Sequence, residues 1–228
     1  MQQAARKTIL MQGARDVLGN CKRCDLCYTR KNLIWGGGNI DAPIMVVAGN
    51  VNYAEDTSGL VLAGDGGQLL ANAMHQVGLR LDRDVFAAPA VKCQRPRVLR
   101  DGEMQRADTT PEQRDACKRF LLWQIEIVKP VILIAHGRLA AEVLFGENQP
   151  HVAYNGSWRT YGKNTLALAT HNPAGLVFGD RRSLQPEFFA AWHGVAERLH
   201  CWGRLKRPDA ACFQVGWSYT PKEQEIAA

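Results

Sequence analysis

Four short apolar runs punctuate the chain: Pro43–Ala48, Val85–Val91, Val131–Ala135 and Thr165–Thr170. Each is bounded by polar or glycine-containing segments, a pattern that predicts buried strands. Helical periodicity lies between and after them. Gln68–Val77 places Leu69, Leu70, Ala73, Met74 and Val77 on one face, with Gly78 as its stop. Thr110 followed by Pro111 is an N-cap and first helical residue, and predicts a helix running to about Val128. Gly137–Leu144 and Pro186–Leu199 complete the set. Strands alternating with helices imply a three-layer α/β/α sandwich around a central four-stranded, mainly parallel sheet, with ligands at the carboxyl ends of the strands.

At 228 residues and 46% hydrophobic, the chain can fill one sizeable core, and no Ser/Gly/Pro-rich linker divides it. Residues 1–207 are expected to form a single domain; the segment 208–228 is low in periodicity and is expected to be a poorly ordered tail. The first 20 residues are mixed polar, which predicts no signal peptide, and no stretch approaches the roughly 20 apolar residues that cross a bilayer. Seven cysteines are too few and too unevenly spaced for a small disulfide scaffold. A cytoplasmic monomer with reduced thiols is the expectation.

A net charge of +6 suits a polyanionic partner without establishing one. Its distribution is more informative. Lys92, Arg95, Arg97, Arg100 and Arg106 crowd one segment, Arg181 and Arg182 form a pair, and Arg198, Arg204, Lys206 and Arg207 gather near the end.

Cys21 and Cys24 form a C-x-x-C pair behind a helix end at Gly19-Asn20; Cys93 follows a strand and Cys117 lies in the helix after Pro111. A close pair plus two distant single thiolates can enclose one tetrahedral zinc or a [4Fe–4S] cluster, and spacing does not choose between them.

Several motifs now fall into one order. Asn20-Cys21-x-x-Cys24-x-Leu26, Gly36-Gly37-Gly38-Asn39, Glu55-Asp56-x-x-Gly59 and Gly64-x-x-Gly67-Gln68-Leu69-Leu70 are followed by Val91-Lys92-Cys93-Gln94-Arg95-Pro96. Cys117, Gln124-Ile125, Lys129-Pro130 and His171-Asn172-Pro173-Ala174 come next. The series resembles the family 4 uracil-DNA glycosylases over roughly residues 15–180. The resemblance implies a uracil-DNA glycosylase-like fold and a [4Fe–4S] cluster on Cys21, Cys24, Cys93 and Cys117. It also implies a DNA partner met by Lys92 and, in the loop between the last two ligands, by Arg95, Arg97 and Arg100.

The active-site loop departs from that family. The glutamate of its GE-A/G-PG loop falls on Gly49 and the proline on Val51; the aromatic residue that stacks on uracil falls on Leu62. The asparagine that reads the uracil edge falls on Pro89, beside the small Ala87 and Ala88. Asn50 instead matches the asparagine of the G-x-N-P-G loop found in other branches of the superfamily, where it positions the attacking water. The expected catalytic set is therefore Asn50 for the water, His171 for the departing base and Asp56 as a second water or sugar contact. The expected pocket is Gly49, Asn52, Tyr53, Leu62, Ala88 and Pro89, roomier and more polar than a uracil slot. Leu176, Val177 and Phe178, flanked by Arg181 and Arg182, are expected to form either an apolar tip that wedges into the gap left by an extruded nucleotide or part of the core.

Three functions follow. The first is a DNA glycosylase excising a modified pyrimidine bulkier than uracil, such as glucosylated hydroxymethylcytosine of phage DNA, in antiviral defence. The alternatives are a catalytically silent DNA-binding or partner-binding module and an ordinary uracil-DNA glycosylase.

Overall fold

A computed structural model describes residues 2–146, 156–205 and 218–219. Helix α1 (Gln2–Leu18) precedes strands β1 (Gly37–Gly38) and β2 (Ile44–Val51), followed by the short α2 (Tyr53–Ser58), α3 (Asp65–Gln76) and α4 (Leu81–Asp84). Strand β3 (Val85–Gln94) leads into a hairpin, β4 (Arg97–Arg100) and β5 (Glu103–Arg106), and then α5 (Pro111–Val128). Next come β6 (Ile132–His136), α6 (Arg138–Phe145), β7 (Trp158–Tyr161), β8 (Thr165–Thr170), α7 (Gln185–Leu205) and β9 (Ser218–Tyr219).

The four apolar runs form the parallel centre of the sheet, in the order β3-β2-β6-β8. The expected count of four is too low. Among the described residues the sheet has seven strands, because β1 and β7 add antiparallel to its two sides and β9 extends it beyond β7. β1 is a Gly-Gly pair and β7 is half polar, so neither carries the apolar run that marks a central strand. The hairpin β4–β5 stands apart as a second, two-stranded sheet.

Alternation along the strands sorts the core into two faces. Met45 and Val47 of β2, Leu133 and Ala135 of β6, and Ala167 and Ala169 of β8 meet Met11, Phe120, Leu121 and Ala141 from α1, α5 and α6. The intervening Ile44, Val46, Ile132, Ile134, Leu166 and Leu168 meet Leu70 and Met74 of α3 and Phe188 and Trp192 of α7. Helices on both faces make the expected three layers. Thr110 caps α5 through a reciprocal capping box with Gln113. The expected tail begins at residue 208 and lies outside the described residues, apart from the short β9.

The chain leaves β2 for β3 on one side and later returns to β6 on the other. Neighbouring strands β2 and β6 therefore part at their carboxyl ends. Open α/β sheets bind ligands at such a switch point.

Candidate active site at the strand switch point

A cavity of about 870 Å³ opens there, lined by Ala48–Val51 from β2, His136–Leu139 from β6 and α6, and His171–Leu176 after β8. The guanidinium groups of Arg95, Arg106, Arg138 and Arg181 complete a basic wall. The site is thus built from three strand ends and rimmed with positive charge, which attracts a polyanion.

Asn50 lies at the end of β2, and the Thr109 hydroxyl donates to its Oδ1 at 2.6 Å. That bond fixes the amide plane from outside the cavity. His171 lines the same cavity from the segment after β8, with Nε2 3.0 Å from Glu187 Oε2. Asn50 and His171 therefore line one cavity, as the sequence reading placed them.

The loop between them is held by buried polar groups. Asn52 caps α2 by accepting from the Glu55 backbone N–H and donates from Nδ2 to Ala63 O at 3.1 Å. Glu55, only 2% exposed, accepts from the N–H groups of Asn52 at 2.8 Å and Leu62 at 2.7 Å. Burial pushes its carboxyl above the usual carboxylate range, with those two donors pulling the other way. Leu62 adopts φ of 62°, and this left-handed residue brings its carbonyl against Gly67 so closely that a Cβ there would lie 1.8 Å from the oxygen. A Cβ on the adjacent Gly66 would lie 2.7–2.9 Å from Ala174. The two glycines let the start of α3 close the cavity floor.

Several expected site residues lie elsewhere. Asp56 is 1% exposed and outside the cavity lining; its carboxylate accepts from the Lys31 and Asn32 backbone N–H groups at 2.9–3.1 Å. It clamps a loop instead of meeting water. Ala88 and Pro89 sit inside β3, whose ten residues are all buried, and neither lines the cavity. Lys92 is not at the surface: it is 1% exposed and donates to Trp35 O, Pro89 O and Gln124 Oε1, with its ammonium 5.2 Å from the Trp35 ring centroid. Desolvation lowers its pKa to about 8, opposed by the nearby Cys117 and Cys93. Leu176 is a core residue at 1% exposure, whereas Phe178, two positions on, is 71% exposed between the arginine pair and the cavity-lining turn. Asn52 and Tyr53 do line the cavity, although Asn52 already spends both ends of its amide on the loop and Tyr53 lies 62% exposed at the rim. Gly49, Leu62, Arg95 and Arg181 line it as well. Arg97, Arg100 and Arg182 are exposed, with Arg97 and Arg100 on the hairpin.

His136 is the site residue that the sequence reading missed. It ends β6, is 2% exposed, and shares a 2.7 Å hydrogen bond between Nδ1 and Thr170 Oγ1. Its Nε2 is buried with no hydrogen-bond partner, and its ring packs 5.6 Å from Phe188 and 6.3 Å from Trp192. Desolvation pushes the imidazole down to about 4, so it is neutral at physiological pH. Its position as the polar last residue of an apolar strand was the available signal.

Cys24, Cys93 and Cys117 surround Leu26 and Val91, and Cys21 packs on the adjoining core. The thiols are near enough that Cys24 and Cys21 each raise the pKa of Cys117. Burial pushes Cys93 up to about 11 despite a guanidinium donor, Arg30, 3.3 Å from its sulfur. Among the described residues, no three His, Cys, Asp or Glu side chains are grouped as they would be around one metal ion.

The family model described as the uracil DNA glycosylase superfamily matches residues 35–195. The chain belongs to that superfamily. A type-4 uracil-DNA glycosylase of Saccharolobus solfataricus is 32% identical over 185 residues, covering 76% of this chain and 81% of that protein. One from Archaeoglobus fulgidus is 28% identical over 187 residues, covering 78% and 87%. One from Thermotoga maritima is 34% identical over 131 residues, covering 58% and 64%. The resemblance carried by the motif series is thereby borne out, as is the three-layer fold. The class is that of DNA glycosylases, and membership places the cavity at the strand switch point in a superfamily of base-excising enzymes. Among the described residues no helix is long and apolar enough to cross a membrane.

Proposed function

We propose that this protein hydrolyses the N-glycosidic bond of a pyrimidine nucleotide flipped out of DNA, the base being bulkier than uracil, and leaves an abasic site. The observation that carries the reading is one cavity lined by both Asn50 and His171, with Gly49 and Leu62 where larger groups would narrow it. Asn50, oriented by Thr109, holds the attacking water below the sugar carbon. As the bond to the base nitrogen breaks, the electron pair leaves with the base and the sugar becomes oxocarbenium-like. The water oxygen then bonds to that carbon and loses a proton to solvent. His171, held by Glu187, donates toward the base oxygen on which negative charge collects.

Arg95, Arg97, Arg100, Arg181 and Arg182 are assigned to the DNA phosphates, and within the Leu176-Val177-Phe178 tip the wedge role falls to the exposed Phe178. A [4Fe–4S] cluster would be held by Cys21 and Cys24, which are half-buried, together with the buried Cys93 and Cys117. When bound, such a cluster supplies positive charge that holds the thiols as thiolates. Thiols raised by burial need that compensation. A brown protein absorbing near roughly 400 nm supports the assignment, and a colourless protein with one zinc overturns it.

The deciding experiment incubates the protein with duplexes bearing uracil, a mismatched base, 5-hydroxymethylcytosine or its glucosylated form, and scores alkali-labile sites. Cleavage of the glucosylated duplex is expected, and it would make defence against phage carrying such DNA the natural role. Cleavage of uracil alone returns the protein to ordinary repair; cleavage of none leaves the silent DNA-binding module.

A further inference from the structure

A second chamber of about 320 Å³ lies behind the first, lined by Asn50, Arg95, Asp108, Thr109, Arg114, Arg138, Leu139 and Glu142. Asn50, Arg95, Arg138 and Leu139 line both spaces, so the two adjoin. Gly49 lines the main cavity next to Asn50 in the chain, and its nearest neighbour there is Leu139, which lines both spaces. Its backbone does not require glycine: its φ is not positive, and an added Cβ would make only ordinary contact, 3.5 Å from Leu139 Cβ. A longer side chain at this position would press on Leu139, a residue shared by the two spaces. The missing side chain therefore serves space, not folding.

The chamber differs chemically from the main cavity. Leu139 is its one apolar lining residue. Both carboxylates are paired: Glu142 lies 3.0 Å from Arg114 and 3.6 Å from Arg138, and Asp108 lies 3.2 Å from Arg100. Compensated charges offer both donors and acceptors, which matches a neutral group carrying several hydroxyls. A phosphate would meet the two carboxylates. Arg114 and Glu142 are largely buried at 15% and 17% side-chain exposure, so the inner end is desolvated, whereas Asp108 and Arg138 leave the outer end open at 73% and 71%.

We propose that this chamber is the specificity subsite for a polyhydroxylated substituent on the excised base, that Gly49 is the passage into it, and that Asp108 and Glu142 accept from its hydroxyls. The inference rests on the glycosylase reading above and names the part of the substrate that the reading leaves open. It makes the main cavity the seat of the ring and the sugar carbon, and the rear chamber the seat of the substituent.

The test measures single-turnover cleavage of the glucosylated 5-hydroxymethylcytosine duplex by wild type, Gly49→Leu, Glu142→Gln and Asp108→Asn. Affinity for a duplex with a tetrahydrofuran abasic-site mimic, which has nothing to put in the chamber, reports folding and DNA binding. Gly49→Leu and Glu142→Gln are expected to lower the cleavage rate by about tenfold or more while the mimic is still bound, because a buried polar site is left mismatched to its ligand. Asp108→Asn, at the solvent-exposed end and no threat to folding, is expected to lower it about threefold. Rates within about twofold of wild type for Asp108→Asn and for whichever inner variants still bind the mimic overturn the subsite but leave the glycosylase reading standing. A wild type that cleaves none of the modified duplexes overturns both.

Discussion

Strands β2 and β3 lie side by side in parallel register, with Asn50 opposite Val91, yet their carboxyl ends have opposite fates. Beyond Ala48 the β2 chain is half open and lines the cavity residue after residue. The equivalent stretch of β3 is buried throughout, because α5 packs across it and the cysteine-bearing segments close over its end. The neighbour on the other side explains the difference. β2 borders β6, and the cavity lies at the carboxyl ends of these two strands; β3 is followed at once by the polypeptide that covers it. Two adjacent strands with similar apolar content thus serve as site and as scaffold.

The sharpest way to break that contrast is at Lys92, the cation with which β3 seemed to reach DNA. Its ammonium is the donor for Pro89 O and Gln124 Oε1, so Lys92→Ala leaves buried acceptors unpaired and a void beside Trp35. The expected loss is about 3–5 kcal/mol in chemical denaturation. A stability unchanged by the substitution, with weakened DNA binding instead, would return Lys92 to the surface role. Leu176→Ala, likewise moved from tip to core, is expected to cost about 2–4 kcal/mol by the same measurement.

On the open side, Asn50→Ala is expected to slow single-turnover base release by about 10²–10³-fold, corresponding to roughly 3–4 kcal/mol of transition-state stabilisation. Thr109→Val, which removes only the hydroxyl that orients the amide, is expected to cost about tenfold in the same rate with little change in DNA affinity. A silent DNA-binding module would show neither effect.

The central sheet, the flanking helices and two of the cavity-lining residues were legible because each is local. Apolar runs mark β2, β3, β6 and β8; Thr110-Pro111 marks a helix start; Asn50 lies at the end of β2 and His171 directly follows β8. Burial of a particular polar residue was not local. Asp56 and Lys92 read as functional because charged side chains are usually exposed, but whether one is exposed depends on distant chain: Lys31 and Asn32 for the first, Trp35 and Gln124 for the second. Pro89 misled in the same way, since alignment with an edge-reading asparagine gave its position along β3 but not the covering that removes it from the cavity. His136 was missed for the converse reason, because a histidine closing an apolar strand is indistinguishable from a core residue until its neighbours are known.

His136 supplies the pH test of the open side. Its folded pKa of about 4 lies below the ordinary histidine value near 6.5, so between those values the unfolded chain binds the extra proton. Stability therefore rises with pH across that window, is fully present above about 6.5, and is lost as pH falls toward 4. The contribution is on the order of 3 kcal/mol. In His136→Gln the difference in unfolding free energy between pH 7 and pH 4.5 should shrink by about 2 kcal/mol relative to wild type. An identical pH dependence in the two proteins would mean that the imidazole is solvated.

The smallest expected effects lie at the rim, where side chains touch little protein and their substitution should leave folding alone. Phe178 is 71% exposed, and Arg95 lines the cavity while spending one guanidinium bond on Ala107 O. Phe178→Ala removes a large, exposed apolar side chain, which on the proposed reading would fill the gap left by the flipped nucleotide. Affinity for an abasic-site duplex is expected to fall by about fivefold, near 1 kcal/mol, at an unchanged denaturation midpoint. Arg95→Ala acts differently, because a phosphate contact is electrostatic and indifferent to the base. It is expected to reduce the slope of log affinity against log salt by about 1 for every duplex alike. The two variants thus separate on one titration series: a loss that persists at high salt belongs to the wedge, and a loss that disappears there belongs to the phosphate. If Phe178→Ala instead behaves as Arg95→Ala does, the tip is not inserted, and the extruded nucleotide is held by the basic wall alone.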